Sequence, residues 1–166
     1  MKRFQIVKVS SDYCDYLRVY DYRVPYNKNE KELRPFIGVL FIVNQCMYYA
    51  PLSSPKKKHL SMKNNIDFYR IDKGVLGAIN FNNMIPVLEN NYELVELDVN
   101  NNDKIETVKY KRLLRKQLDF MNDHYNDIKD KAQNLYNRYI NGKLPFSIKE
   151  RCCDFTLLEE KCKEYK

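Results

Sequence analysis

The run Ala50-Pro51-Leu52-Ser53-Ser54-Pro55-Lys56-Lys57-Lys58-His59 concentrates reactive groups more tightly than any other part of the chain. Two hydroxyls supply hydrogen-bond donors and acceptors, three ammonium groups supply charge for a phosphate, and His59 supplies an imidazole that titrates near neutrality. Pro55 removes a backbone donor and biases Ser54 towards an extended conformation. In-line attack of a ribose 2′-oxygen on the adjacent phosphate needs a proton acceptor, charge stabilisation on the phosphorane oxygens and alignment of the leaving 5′-oxygen. In that chemistry Lys56 stabilises charge, while Ser53 and Ser54 hydrogen-bond the non-bridging oxygens or the 2′-hydroxyl. A serine is too weak a base to act alone, so alignment and electrostatics would carry most of the rate. His59 fits either an acid or base role or a structural one, and the whole run also fits a solvated loop leaving a sheet.

The elements that must hold these groups are legible as apolar runs. Phe36 to Val43 and Cys46 to Leu52, separated by Asn44-Gln45, read as a β-hairpin whose second strand ends at Ser53 and Ser54. Rigid sheet positions place reactive groups more accurately than loops do. Arg34 stands immediately before the first of these strands, at the end of a polar, proline-punctuated loop from Arg23 that also carries Tyr26, Lys28 and Lys31. Phe4 to Val9 reads as an earlier strand, followed by a helix over about 12–22 with Ser11 or Asp12 as its cap and Tyr13, Tyr16, Leu17 and Tyr20 towards the core. Asp67 to Ile71, Val75 to Asn80 and Tyr92 to Leu97 supply further strands, with Gly77 permitting a bulge or a close approach.

In the last third the period changes. Tyr110, Leu113, Leu114, Leu118 and Met121 share one helical face, and Ile128, Ala132, Leu135, Tyr136 and Tyr139 share another. Gly142 and Pro145 end the second helix, and Asp154 caps a short closing one. The expected architecture is α+β: a compact twisted antiparallel sheet or barrel of about six strands, flanked by helices and followed by a helical third, in one domain over residues 1–166.

The composition is globular, 44% hydrophobic and 31% charged, without an apolar run near the roughly 20 residues of a membrane span. Met1-Lys2-Arg3 precedes too short and too interrupted an apolar stretch for a signal peptide, so a cytoplasmic protein is expected. Five cysteines without a Cys-x-x-Cys pair, and only two histidines, suggest reduced thiols and chemistry without a metal or other cofactor. A net charge of +7, with 14 tyrosines and eight phenylalanines, favours a polyanion whose unpaired bases can stack on rings. Lys57 and Lys58 add charge beside the hydroxyls. Lys109, Lys111, Arg112, Arg115 and Lys116 form a cationic ridge with no acid inside it, so an extended anion would meet five charges in line. A non-catalytic basic RNA-binding module, for which that ridge would be essential, is the alternative to an enzyme. No helix-turn-helix pattern supports a DNA-binding regulator.

Pro35-Phe36-Ile37-Gly38, Ala50 through Lys57 with its Pro-Leu-Ser-Ser-Pro-Lys-Lys element, Asn80 through Pro86, Tyr110-Lys111-Arg112 with Lys116-Gln117-Leu118, and Phe155 through Glu160 occur in one order along nearly the whole length. In these motifs the chain resembles the ToxN/AbiQ family of endoribonuclease toxins from type III toxin–antitoxin and phage abortive-infection systems. The resemblance implies a MazF/Kid-like twisted sheet and metal-independent cleavage of RNA to a 2′,3′-cyclic phosphate and a 5′-hydroxyl. It also implies inhibition by a small repeated pseudoknot RNA, not a protein, which the toxin processes and keeps in a closed toxin–RNA assembly. The family's active-site residues fall on Ser53, threonine in some relatives, and on Ser54 and Lys56; Arg34 stands where a relative has lysine. The loop before Arg34 differs in length from its relatives, so the family's loop tyrosine has no fixed counterpart, and Tyr26 is taken as the candidate.

Overall fold

The computed structural model describes residues 3–26 and 34–165; Lys28 and Lys31 lie outside them. The chain runs β1 (Gln5–Val9), α1 (Ser11–Tyr20), β2 (Pro35–Gly38), β3 (Ile42–Val43), β4 (Cys46–Ser53) and α2 (Lys57–Ser61). It continues through β5 (Phe68–Ile71), β6 (Gly77–Asn80), β7 (Ile85–Val87), β8 (Tyr92–Leu94), α3 (Ile105–Asp123), α4 (Tyr125–Ile140), α5 (Phe146–Lys149) and α6 (Phe155–Glu164). The architecture is α+β, as the alternation of patterns predicts.

One open sheet runs in the order β5-β6-β4-β2-β1-β8, with β3 and β7 also paired to β4. Every pairing is antiparallel. Among the described residues this makes eight strands, not six, because the apolar run from Phe36 splits in two and Ile85–Val87 adds a strand that pairs with β4. β2 ends at Gly38 and a separate β3 turns back into β4 through Asn44 and Gln45, whose φ of 50° and 70° are those of a tight two-residue hairpin turn. β4 is the hub: its first half meets β3 and β7, and its second half meets β2 and β6.

Most strands are buried almost throughout, with Ile37, Ala50, Leu52, Ile79 and Ile71 in a core completed by Leu17 of α1, Leu135 of α4 and Leu158 of α6. The cap of α1 is Ser10, one residue before the expected Ser11 and two before Asp12: its Oγ accepts from the Tyr13 N–H at 3.4 Å. Tyr13 and Leu17 are buried and Tyr16 half-buried, whereas Tyr20 in the last turn is 43% exposed. Asp154 caps α6 as expected, accepting from the Leu157 N–H at 3.1 Å. Glu159 is buried among hydroxyls and is accounted for by them: it accepts from Tyr48, from Tyr136 at 2.7 Å and from the Asn44 amide at 3.2 Å. All five cysteines are free and buried.

Candidate active site

β4 delivers Ser53 as its last residue, and the register of the sheet decides what surrounds it. Ser53 lies opposite Ala78 of β6, and Ala78 lies opposite Arg70 of β5. On the other side Phe36 pairs with Pro51, so two residues further out Arg34 comes level with Ser53. The geometry closes there: Arg34 donates from Nη2 to Ser53 Oγ at 3.2 Å and from Nε to the Leu52 carbonyl at 3.4 Å. Burial pulls the Arg34 guanidinium below its ordinary value, although an arginine stays charged throughout the physiological range. Among the described residues no carboxylate pairs with it.

Asn80, one pleat along from Ala78 and therefore on the same face as Ser53, donates from Nδ2 to Ser53 Oγ at 2.8 Å. β6 can come this close because Gly77 adopts φ +109°, and a Cβ there would stand 2.1 Å from the Ser53 carbonyl oxygen. The sequence marks Gly77 as a place of close approach. Asn80 as a partner of Ser53 escapes it, because the pairing of two strands 27 residues apart leaves no local signal; the residue shows only as a strand end opening a matching motif.

Ser54, Pro55 and Lys56 form the connection from β4 to α2, and all three are exposed. Among the described residues neither the Ser54 hydroxyl nor the Lys56 ammonium has a hydrogen-bond partner, so both face solvent beside a serine whose lone pairs are already taken. Lys57 and Lys58 continue the exposed charge into α2. The hydroxyl and cation groups singled out in the sequence thus sit on one sheet end, with Arg34 and Ser53 in contact.

His59 is buried and engaged as a helix cap. It is 2% exposed, its Nδ1 accepts the Lys56 backbone N–H at 3.1 Å, and its own N–H reaches the Lys56 carbonyl at 2.9 Å. This is the second half of a capping box, with an imidazole in the place usually held by Glu or Gln, while the N-cap Lys56 has no side-chain acceptor to supply the first half. Burial first, then the charges of Lys58 and Lys56, lower its pKa, which keeps Nδ1 unprotonated and able to accept. A Cβ at Gly74 would stand 2.1 Å from the His59 carbonyl oxygen, and Arg70 Nη1 donates to the carbonyls of Leu60 at 3.3 Å and Lys73 at 3.2 Å. α2 is therefore pinned at both ends, and with it the backbone that carries Lys56.

Two further candidates lie away from this cluster or differ from expectation. Tyr26 is exposed with its ring under the Arg18 guanidinium at 4.8 Å, and no described contact joins it to Ser53 or Lys56. The ridge on α3 is not continuous. Lys111 is only 9% exposed and binds Asp103 and the Asp98 carbonyl, both at 2.8 Å, while Arg115 meets the Asp98 carboxylate at 3.2 Å. Among the described residues the ion pairs of these cations come from the turn before the helix, not from the helix's own Glu106 or Asp119. Lys109, Arg112 and Lys116 remain exposed. Among the described residues no group of three or more His, Cys, Asp or Glu side chains is arranged to hold a metal ion, and no helix is long and apolar enough to cross a membrane.

Hydroxyls and cations that, among the described residues, meet no acid thus stand at the rim of an open antiparallel sheet. Residues 5–163 match the family described as toxin ToxN of type III toxin–antitoxin systems. The chain is similar to the endoribonuclease ToxN of Bacillus thuringiensis subsp. kurstaki, 35% identical over 162 residues that cover 95% of this chain and 82% of the relative. It is also similar to the endoribonuclease AbiQ of Lactococcus lactis subsp. lactis, 30% identical over 167 residues covering 95% and 86%. A solved type III toxin, described as selectively inhibited by a non-coding RNA pseudoknot, superposes with a TM-score of 0.81 at 30% identity over 99% of this chain and 98% of its own. The chain belongs to the ToxN family of type III toxin–antitoxin toxins.

Proposed function

We propose that this protein is a cytoplasmic, sequence-preferring endoribonuclease toxin that cuts single-stranded RNA without a metal ion. The O2′–phosphorus bond forms as the phosphorus–O5′ bond breaks, a proton leaves O2′ and another arrives on O5′, and the products are a 2′,3′-cyclic phosphate and a 5′-hydroxyl. The observation that carries this reading is Ser53 Oγ held by Arg34 and Asn80 at the end of β4, with Ser54 and Lys56 exposed directly after it. Lys56 and Arg34 supply positive charge where the phosphorane develops negative charge, and the hydroxyls of Ser53 and Ser54 orient the phosphate. A small repeated pseudoknot RNA, which the toxin processes and retains in a closed assembly, holds the activity in check, as the relatives' type III systems suggest. Released, the toxin arrests growth and limits phage. Lys109, Arg112 and Lys116 fit the antitoxin's backbone, with Lys57 and Lys58 nearer the cut.

The test is to incubate purified protein with single-stranded RNA in EDTA and to look for 5′-hydroxyl ends. Lys56→Ala and Ser54→Ala should each slow cleavage about 100- to 1000-fold, the usual effect of removing one transition-state donor. Binding without scission would make the protein a basic RNA-binding module instead, and full activity in both variants would remove the site.

A further inference from the structure

The two nitrogen donors on Ser53 decide the direction of its own proton, an inference that rests on Ser53 belonging to the active site. A serine hydroxyl has one proton to give and two lone pairs that receive. Arg34 can only donate, and its Nη2 at 3.2 Å occupies one lone pair. The Asn80 amide nitrogen at 2.8 Å occupies the other, along a path that the missing side chain at Gly77 keeps short. Nothing in this pair asks for the Ser53 hydrogen, and neither lone pair is left to take a proton from an incoming 2′-hydroxyl.

We propose that Asn80 is a positioning residue that holds Ser53 as an obligate hydrogen-bond donor, aimed at a non-bridging oxygen of the scissile phosphate. Of the two roles open to Ser53, contact with the phosphate or with the 2′-hydroxyl, the geometry selects the first. The donor strengthens as negative charge grows on the phosphorane oxygens, so its contribution falls on kcat more than on KM. A carboxylate in place of the amide would reverse the arrangement, because it can only accept and would draw the Ser53 proton back into the protein.

The experiment measures kcat on a short single-stranded RNA for Asn80→Ala, Asn80→Asp, Ser53→Ala and the Ser53→Ala/Asn80→Ala double variant. Asn80→Asp should lose roughly 100-fold or more at neutral pH and regain activity as the pH falls through the pKa of the introduced carboxyl, whose protonated form can again donate. Asn80→Ala should lose about tenfold alone and nothing further in the Ser53→Ala background, since residues acting through one another are not additive. Wild-type activity in Asn80→Asp at neutral pH, or additive losses, would overturn the proposal. If Asn80→Asp does not fold, the alanine cycle still decides. An unimpaired Ser53→Ala would bring down the active-site reading itself, whereas an inactive Ser53→Ala with additive losses would bring down only the role given to Asn80.

Discussion

Replacing His59 separates a catalytic histidine from a structural one. In His59→Ala the Lys56 N–H loses its acceptor, a cap worth about 1 kcal/mol. The space vacated by a ring that is 2% exposed adds about 1–2 kcal/mol. The sum, about 2–3 kcal/mol, should lower the melting temperature by about 4–12 °C in a domain of this size. His59→Gln should restore much of the loss, because a glutamine oxygen at this helix position can accept the same N–H. Glutamine cannot transfer protons, so a true acid or base would leave His59→Gln about 100- to 10000-fold slower. Thermal melts and single-turnover cleavage are therefore read side by side. The pH dependence has a definite sign: the folded pKa of His59 is depressed, so the unfolded chain takes up the proton first. The stabilisation is fully present above the ordinary value of about 6.5 and is lost as pH falls through the folded value. That acid-limb slope should be shallower in His59→Gln. A His59→Gln protein that melts like wild type but cleaves no better than His59→Ala would refute a purely structural role.

Arg112→Glu should weaken antitoxin binding and lower the slope of log affinity against log salt by about one or more, with the melting curve unchanged. Lys111→Ala should do the reverse, lowering the melting temperature because it removes the partner of Asp103 and the Asp98 carbonyl; gel-shift titrations and thermal melts on both variants check the contrast. Gly77→Ala should abolish cleavage, since both its φ of +109° and the 2.1 Å approach to the Ser53 carbonyl oxygen forbid a side chain, and loss of more than about 2 kcal/mol in urea unfolding should accompany it. A thiol reagent should label none of the five buried cysteines in the native protein and all five after denaturation, and labelling of the folded form would contradict the packing around them.

The parts of the site that the sequence reveals are those written in consecutive residues. An apolar run ending in Ser53-Ser54 shows a strand end, and Asn44-Gln45 shows the turn that aims it, so β4 and its cargo are legible without coordinates. What stays hidden is contact across strands or between a loop and a helix. Asn80 reaches Ser53 through the register of β4 against β6, and Asp98 and Asp103 reach Lys111 by folding the preceding turn back on α3. The same limit explains the strand count: an apolar run says that most of Phe36 to Phe41 is buried, not where the backbone stops pairing, and Ile85–Val87 is too short to show as a strand until it pairs with β4. For His59 the sequence leaves both roles open, because a capping imidazole and a catalytic one share the same local context. The burial of His59 and its hold on the Lys56 N–H speak for the cap, and the two variants test it.

The distribution of paired and unpaired charge separates the work of the two basic regions. Arg151 with Asp67 and Arg23 with Asp21 are cations matched to buried carboxylates, and they join distant segments of the chain. On α3 the same matching removes Lys111 from the surface and engages Arg115, which leaves Lys109, Arg112 and Lys116 as point charges on a helix face, suited to a backbone that needs neutralising but not reading. Around Ser53 the matching is withheld: a guanidinium drawn partly out of water meets neutral oxygens and, among the described residues, no acid. An uncompensated, desolvated cation raises the free energy of the empty site and lowers that of the site once a phosphate arrives, most of all when the phosphate gains charge in the transition state. Arg34→Lys should therefore keep most binding of a short RNA yet lose kcat, because an ammonium cannot hold the Leu52 carbonyl and Ser53 Oγ in the fork that guanidinium geometry allows. Unchanged binding and turnover in that variant would mean that Arg34 serves only as charge.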